Sequence, residues 1–508
     1  MRKILATISL LLLPGWALAQ PAHAADDTGA ITGKIVTAEG APARFAAVAL
    51  TDAATGIGQG EVFTQFDGSY SRPNLRPGIY KLQIRYQGRY QWVPQKIAYE
   101  DGAVFTVTAG ATTVVDETLL PGAVLNVKLV DDRSGNPVSS ACVSVGIDRV
   151  CDQAGGLFTF TDLPGGEHNV EVNAPDGLHR AVTRRVATVL GQTTDVEIRL
   201  APSAAIATVV RDRVTGSPVQ GVCVIALPRY FGQVGYQDCK YRSAADGTVV
   251  VGELDSGTYS LLAVPGLDHG IQWVGSSGGT GSQYRAQRLK AVVGSATRAS
   301  QIRLDQAGTV TGAITDADTG EPIRHGNACV TILPLRTGQS SVGGATCTTA
   351  EGTFELRGLG PYAWPIQYTA KLFSKYYAWE WSGRAADRRS AVPVKVTSGQ
   401  SVTADAALRS GGTLTGRTLN KDGTVYSGFV DLWSYNTRTG DVAGPAEYGN
   451  GGAYTLRGLA GQHVKIKLWA SGRGFRWHED AAAFEGADPV RVTRGRERTL
   501  DITLPSPS

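Results

Sequence analysis

The chain has 508 residues, of which 19% are charged, and its formal net charge is +4 at pH 7. This near balance lacks the clustered basic surplus that nucleic-acid or membrane-surface partners need, so we expect neither. The length leaves room for several folded domains.

The N-terminus has the pattern of a secretory signal peptide. A basic start at Arg2 and Lys3 precedes an apolar run, and small residues then allow cleavage after Ala19 or Ala24. The apolar run is shorter than the roughly 20 residues of a membrane span. We therefore predict a signal peptide at residues 1–24 and a secreted, extracellular or cell-envelope-associated mature chain without membrane insertion.

The rest of the chain repeats one pattern five times. Each repeat ends in a strand-like run that closes on a leucine, and the last residues of these runs lie 80, 104, 104 and 96 positions apart. That spacing fits one small β domain per repeat and not the shorter units of a solenoid. The predicted domains, numbered repeats 1 to 5, are residues 25–120, 121–200, 201–304, 305–408 and 409–508.

Repeat 4 shows the full pattern of short strands and turns. It opens with an alternating strand at Gly308 to Ile314, and a hairpin turn at Glu351-Gly352 leads into a further strand. Repeat 2 is the most divergent, because Leu125-Asn126 replaces the opening Thr-Gly. Many short strands separated by turn signals predict an all-β array of antiparallel sandwiches.

The six cysteines fall two to a repeat in the three middle repeats. Six cysteines allow 15 pairings, and this equal partition favours the three local ones. No CxxC motif or histidine cluster accompanies them, so we predict no metal site and no cofactor. The predicted disulfides are Cys142 with Cys151, Cys223 with Cys239, and Cys329 with Cys347.

The G-x-[ITV]-[TV]-G openings, the D/E-G-x-[YF] turns and the L-x-P-G-x-Y turns resemble those of the carboxypeptidase regulatory-like domain. Examples are Gly308 to Gly312, Asp67 to Tyr70 and Leu75 to Tyr80. That family is related to transthyretin-like and collagen-adhesin B-type sandwiches and to the starch-binding-domain-like superfamily. The resemblance spans roughly residues 28–504. It implies tandem sandwiches that serve as stalks, adhesins or carbohydrate-binding accessories, with no catalytic residue.

Matches to catalytic motifs are isolated. A G-x-S-x-G sequence at Gly275 to Gly279 lies in a glycine-serine loop with no following helix, which a hydrolase elbow requires. Domains of this size leave no room for a barrel of about 250 residues. We therefore predict a non-enzymatic protein, and an amylase-type glycoside hydrolase is the enzyme alternative.

Tryptophans recur just beyond the strand that follows the second turn. They form either a stacking platform for sugar rings, or plugs for the open end of each sandwich. Trp379 and Trp381 lie on one face if their segment is an extended strand. The candidate binding residues are Trp92, Trp273, Trp379, Trp381 and Trp477.

The predicted function is that of a secreted, non-catalytic, multi-domain binding protein. Polysaccharide or cell-surface glycan is the leading ligand class, and an extracellular protein is a further possible partner. The first alternative is a structural stalk or adhesion protein without a small ligand. Exposed aromatic rings in the long loops favour binding, and buried ones favour the stalk.

Overall fold

Strands and turns make up the protein. The computed structural model describes residues 28–228, 239–333, 344–449 and 451–504. Within them lie 45 strands and three short 3₁₀ turns, at Ala154–Gly156, Gln283–Arg285 and His478–Asp480. The all-β prediction is confirmed. The predicted signal peptide lies outside the described residues, and none of the helices within them is long and apolar enough to span a membrane.

Repeats 1 and 2 are built from short strands joined by tight turns. The strands of repeat 1 are β1 (Gly29–Val36), β2 (Ala47–Asp52), β3 (Gly58–Phe63), β4 (Ser69–Leu75), β5 (Gly78–Tyr86), β6 (Arg89–Trp92), β7 (Phe105–Val107), β8 (Thr112–Val114) and β9 (Glu117–Thr118). Those of repeat 2 are β10 (Ala123–Asp131), β11 (Cys142–Val145), β12 (Asp148–Cys151), β13 (Leu157–Leu163), β14 (Gly166–Asn173), β15 (Val182–Thr188) and β16 (Thr193–Leu200).

Within the described residues, repeat 3 has nine strands and repeat 4 has eleven. The strands of repeat 3 are β17 (Ala204–Asp212), β18 (Cys223–Pro228), β19 (Thr248–Leu254), β20 (Gly257–Val264), β21 (Gln272–Val274), β22 (Gly279–Thr280), β23 (Leu289–Ala291), β24 (Ala296–Arg298) and β25 (Ile302–Leu304). Those of repeat 4 are β26 (Gly308–Asp316), β27 (Ala328–Thr331), β28 (Ala345–Cys347), β29 (Thr353–Leu359), β30 (Ala363–Trp364), β31 (Gln367–Leu372), β32 (Lys375–Tyr376), β33 (Glu380–Trp381), β34 (Val394–Lys395), β35 (Ser401–Thr403) and β36 (Ala406–Leu408).

Repeat 5 completes the series. Its strands are β37 (Gly412–Leu419), β38 (Val430–Asn436), β39 (Glu447–Gly449), β40 (Ala453–Leu459), β41 (Gln462–Ala470), β42 (Gly474–Trp477), β43 (Val490–Val492), β44 (Glu497–Thr499) and β45 (Ile502–Thr503).

One sheet of each repeat is organised around its opening strand. In repeat 1, β1 pairs antiparallel with β4 and parallel with β8 and β9. The opening strands β17, β26 and β37 repeat this arrangement, and β10 lies between β13 and β16. The sandwiches are thus antiparallel except at their closing strands. The parallel pairing arises because the chain visits the second sheet before it returns to the first.

The second sheet carries the cysteine strands and the long loops. Its strand order is β3-β2-β5-β6 in repeat 1, and the corresponding orders are β12-β11-β14-β15, β18-β20-β21-β22, β28-β27-β31-β32 and β39-β38-β41-β42. Alternate residues of the two sheets meet in a core, as with Ile31, Val48 and Leu82 in repeat 1. This alternation is the period-2 pattern that the sequence shows.

Steric crowding explains why the second residue of the opening Thr-Gly motif is glycine. A Cβ atom at Gly33 would lie 1.8 Å from the carbonyl oxygen of Val115, and one at Gly416 would lie 1.9 Å from that of Leu500. The closing strands therefore approach the opening strand too closely for any side chain, and Gly312 of repeat 4 shows the same crowding.

The two repeats without this glycine have a side-chain hydrogen bond to the closing segment at or next to its position. Thr208 Oγ1 donates to the carbonyl oxygen of Ser300 over 2.8 Å. In repeat 2, Val127 occupies the glycine position, and the residue before it, Asn126, donates through Nδ2 to Asp195 Oδ1, also over 2.8 Å. The divergent opening of repeat 2 thus keeps the contact with its closing strand by different chemistry.

The predicted local disulfides form. Cys223 and Cys239 are bonded with their Cα atoms 5.4 Å apart, and Cys329 and Cys347 with theirs 4.0 Å apart. Cys142 and Cys151 are disulfide-bonded as well. In repeat 4 the two cysteines face each other across the β27–β28 pair.

Division by spatial proximity gives two compact units. One comprises Met1–Leu129, Val143–Glu171 and Thr183–Ile198, and the other comprises Val130–Cys142, Val172–Val182 and Arg199–Ser508. Repeats 3 to 5 thus belong to one unit. The five domain boundaries stay a prediction.

We expect replacement of Cys329 and Cys347 by alanine to lower the free energy of unfolding of repeat 4 by about 3 kcal/mol, because the bond closes a loop of 18 residues. Urea unfolding followed by tryptophan fluorescence measures this loss. Reduction of the wild type should produce at least the same shift in the repeat 4 transition, and reduction of the variant should leave that transition unchanged. An unchanged midpoint in the variant would contradict the prediction.

Candidate functional site

Three of the five candidate tryptophans lie in the protein interior. Trp273 is 1% exposed, and Trp379 and Trp381 are also buried. Trp273 belongs to an apolar cluster that continues from Ile225 in repeat 3 to Trp364 in repeat 4. These rings therefore contribute to packing, as the plug hypothesis expects.

Trp379 and Trp381 do not share one strand face. Only Glu380 and Trp381 form strand β33. Residues 377–379 leave the sheet because they bond to the following chain: Ala378 N donates to Arg409 O, and Trp379 N donates to Gly458 O over 3.0 Å. Trp379 and Trp381 therefore do not lie on one continuous strand, which was the condition for their rings to share a face.

The two remaining candidates are half-buried. The ring of Trp92 meets that of Tyr99 edge to face at 4.9 Å. The ring of Trp477 lies 5.1 Å from that of Tyr435 and 5.4 Å from that of Phe484. Trp379 and Trp477 are the two candidates that the structure brings into one aromatic cluster.

The recurrence of tryptophan has a local backbone counterpart. Trp92, Trp381 and Trp477 each end a short strand and then bridge to the residue four positions later, at Lys96, Ala385 and Ala481. In all three, the tryptophan amide donates to the carbonyl oxygen of that later residue. The repeated tryptophan therefore marks the start of one tight turn.

The central feature of repeats 3 to 5 is an arginine that joins all three. Arg388 of repeat 4 donates through Nε and Nη2 to the two carboxylate oxygens of Asp441 in repeat 5, over 3.1 and 2.9 Å. Both side chains are 2% exposed. The guanidinium carbon lies 5.3 Å from the ring centre of Tyr284 in repeat 3 and 6.0 Å from that of Trp381.

This arrangement satisfies the requirements of a buried charge. The bidentate geometry pairs two donors with two acceptors, and the neighbouring rings present their electron-rich faces to the cation. Burial raises the pKa of Tyr284, so its hydroxyl stays neutral beside the pair. Arg438 and Asp387, whose charged atoms lie 3.0 Å apart, form a second ion pair at the same place.

Repeats 3 and 4 also share backbone hydrogen bonds. Ile271 N donates to Gly358 O over 2.8 Å, and Gly360 N donates to Ile271 O over 2.9 Å. Tyr362 Oη donates to Gln272 Oε1 and to Asp305 Oδ2. Because the apolar cluster is continuous here as well, this junction has the character of a domain interior.

In three repeats, the aspartate that ends the opening strand is hydrogen-bonded to a side chain from a later segment of the same repeat. Asp131 Oδ2 lies 3.1 Å from His179 Nε2, and Asp212 Oδ2 lies 2.8 Å from His269 Nε2. In repeat 4, Asp316 at the end of β26 accepts hydrogen bonds from Lys375 Nζ and Tyr377 Oη. Burial would raise the pKa of Asp316, but these hydrogen bonds outweigh it and hold the pKa well below its usual range.

A cleft in repeat 4 has a volume of about 860 Å³. Its carboxylates have structural partners: Glu380 is paired with Arg409, and Asp405 accepts from the amide of Ala313. The G-x-S-x-G sequence forms the turn between β21 and β22, where Gly275 N donates to the carbonyl oxygen of residue 278. No cluster of three metal-ligating side chains occurs in the described ranges.

No sequence pattern indicates Arg388 and Asp441 as functional residues. Both are single charged residues in loops, 53 positions apart, with no motif around them. Such pairs are recognisable only when the packing of the repeats is known.

Comparison with known proteins gives a family match for one part of the chain. Residues 30–120 match the family model of the carboxypeptidase regulatory-like domain, which confirms the resemblance for repeat 1. The matched domain is regulatory-like and not catalytic, in agreement with the non-enzymatic prediction. No curated protein sequence matches the chain.

Solved structures similar to the chain include two pilins and one further bacterial protein. The Bacillus anthracis TIE protein is 12% identical with a TM-score of 0.19, over 75% of this chain and 69% of that chain. The minor pilin of Streptococcus agalactiae is 14% identical with a TM-score of 0.23, over 34% and 96%. The major pilin subunit of Bacillus cereus is 11% identical with a TM-score of 0.16, over 75% and 99%. These values carry no inference about function.

We expect Arg388→Met to destabilise repeats 3 to 5 by about 3–5 kcal/mol, because Asp441 would remain buried without its partner. The double variant Arg388→Met/Asp441→Leu should lose much less, since it removes both charges together. Urea unfolding of the oxidised full chain measures both effects. A single variant within about 1 kcal/mol of wild type would contradict the assigned role of the pair.

We expect the Asp316 contacts to stabilise the fold above the ordinary aspartate pKa, and their contribution to disappear as the pH falls through the lowered folded-state pKa. Asp316→Asn should therefore cost about 1–3 kcal/mol at pH 7 and progressively less in acid. Urea midpoints of wild type and variant between pH 7 and about pH 2 test this. Asp318→Asn, an exposed neighbour on the same lysine, is the control and should have a smaller effect.

Proposed function

We propose that this protein is an extracellular structural or adhesion scaffold without catalytic activity. The observation that carries the proposal is the buried Arg388–Asp441 pair, which draws repeats 3, 4 and 5 into one packed unit. A protein that transmits force or holds a surface at a distance needs junctions that do not hinge. Large apolar junctions have this property, and small polar ones do not.

The burial of the tryptophans supports the same proposal. Trp273, Trp379 and Trp381 fill the interior and the junctions, which favours the stalk over a ligand site at those rings. The predicted secretion signal and the regulatory-like family match of repeat 1 agree with an extracellular non-catalytic role.

Polysaccharide binding at the five predicted tryptophans has less support. A sugar ring stacks on an exposed aromatic face, and among these five only Trp92 and Trp477 retain a partly exposed ring. A glycan-binding role for this chain therefore needs aromatic rings beyond those that the sequence pattern indicates.

The scaffold proposal predicts a specific effect at the junction of repeats 3 and 4. A Cβ atom at Gly270 would lie 2.2 Å from the Cα atom of Gly360, so Gly270→Ala should force the two repeats apart at a cost of about 1–3 kcal/mol or more. Gly266→Ala is the matched control, because no atom lies within 4 Å of its added Cβ.

Native-state proteolysis of the full chain, with cleavage sites read by mass spectrometry, tests this. We expect residues 305–310 to resist cleavage in wild type and Gly266→Ala, and to become cleavable in Gly270→Ala. If wild type is cleaved at this junction as readily as Gly270→Ala, the rigid-scaffold proposal is wrong. Release of reducing sugar from a polysaccharide panel by the wild type would refute the non-enzymatic part.

A further inference from the structure

A row of aromatic side chains crosses the outer face of the second sheet of repeat 5. Asp431 of β38 is paired with Tyr448 of β39 and with Trp469 of β41, and Trp469 is paired with Phe475 of β42. Paired residues on neighbouring strands project to the same side, so these four side chains form one row across four strands. With strands about 4.8 Å apart, the row is about 14 Å long.

Two of the three rings of this row are exposed to solvent, and the row contacts a further ring, that of Phe429. Tyr448 is 67% exposed, Phe475 is 53% exposed and Phe429 is 41% exposed. The rings of Phe429 and Tyr448 are nearly parallel, at 24° and 6.1 Å, and Phe429 lies 6.2 Å from Trp469. We call Phe429, Tyr448, Trp469 and Phe475 the aromatic platform. A contiguous exposed apolar surface of this kind marks an interaction site.

Buried aromatic residues support the platform from the adjacent row. Trp433 and Tyr435 of β38 pack with Trp379 of repeat 4 in one cluster, against which Trp469 and Trp477 also pack. The platform rings therefore rest on a fixed base and need little ordering when a ligand binds. This preorganisation lowers the entropic cost of binding.

Cationic side chains border the platform. Lys467 Nζ lies 4.6 Å from the ring centre of Phe475 and 6.0 Å from that of Trp477. Within the described part of the chain, Lys467 has no ion-pair partner. The carboxylate in the row, Asp431, is half-buried among the rings.

A groove of about 570 Å³ continues from the platform at Tyr448 to Tyr376 and Lys371. Lys371 Nζ lies 4.6 Å from the ring centre of Tyr376, and the guanidinium of Arg457 lies 5.4 Å from it. The carboxylate of Glu447 in this groove lies 3.9 Å from Nη1 of Arg457, so the two opposite charges form an ion pair. The groove thus extends the platform beyond Tyr448 by the ring of Tyr376 and the positive charge of Lys371.

We propose that the aromatic platform and this groove bind a polysaccharide that carries carboxylate groups. The C–H bonds on one side of a pyranose ring form a flat apolar surface that packs on an aromatic face, and a row of rings across a sheet matches a linear polymer. Lys467 and Lys371 supply charge complementarity to its carboxylates. A protein partner fits less well, because protein hot spots insert into deep pockets and the exposed rings lie on a sheet face.

This site deepens the adhesion part of the proposed function and depends on it for access to an extracellular polymer. It differs from the predicted tryptophan sites in that its exposed rings are largely Tyr and Phe, with Trp469 as the half-buried member.

Affinity electrophoresis of the oxidised full chain in polygalacturonate tests the proposal, with the fully methyl-esterified polymer as the uncharged comparison. Tyr448→Ala and Phe475→Ala should each weaken binding to polygalacturonate about three- to tenfold. Lys467→Met should weaken binding to polygalacturonate and leave binding to the methyl ester unchanged. Phe66→Ala, an equally exposed ring of repeat 1, is the matched control and should bind as wild type.

Wild type that binds neither polymer, or platform variants that bind as well as wild type, would overturn the proposal. Equal binding of both polymers would overturn the assignment of carboxylate groups. If the variants instead abolish self-association seen by ultracentrifugation, the platform serves a second copy of the chain. Native-state proteolysis of the same variants distinguishes this proposal from the scaffold proposal. If wild type binds neither polymer but residues 305–310 resist cleavage, the binding proposal fails and the scaffold proposal is retained.

Discussion

The close approach of each closing strand to its opening strand is the constraint on which these sandwiches depend. At Gly33 and Gly416 the distance admits no side chain at all, at Thr208 a hydroxyl bonds across the same gap, and in repeat 2 the neighbouring Asn126 bonds to the closing strand. This contact fixes the parallel pairing that ends every repeat. Once this contact forms, the segment between the two strands, which builds the second sheet, is closed into a core. The short opening motif thus secures a contact between the two ends of the repeat.

The same logic explains which parts of the architecture the sequence could predict. Alternating strands, turn glycines and paired cysteines act locally, and each leaves a mark within ten or twenty residues. The parallel direction of the closing strands was not visible, because it depends on the path of the chain between sheets. The tight turn after Trp92 and Trp381 was likewise hidden, since a recurring tryptophan looks the same whether it binds a ligand or begins a turn.

The functional surfaces were harder to predict for a physical reason. Arg388 and Asp441 meet only because repeats 3, 4 and 5 pack together, and no periodicity records a contact between domains. The platform combines Phe429, Tyr448 and Phe475 from three separate parts of repeat 5. Tryptophan recurrence pointed largely to the shared interior of the repeats, whereas the rings of the aromatic platform all belong to repeat 5. Repetition in a tandem protein is therefore a better guide to its core than to its specificity.

The cross-strand disulfide of repeat 4 has a consequence for assembly. β28 is a three-residue strand at the edge of its sheet, and Cys347 fastens it to Cys329 on the neighbouring strand. A free sheet edge offers unpaired amide and carbonyl groups to any other extended chain. By holding a short strand permanently over the longer one, the bond keeps β27 from serving as a template for intermolecular β-pairing. In an oxidising environment the covalent link thus protects the protein against aggregation through this edge.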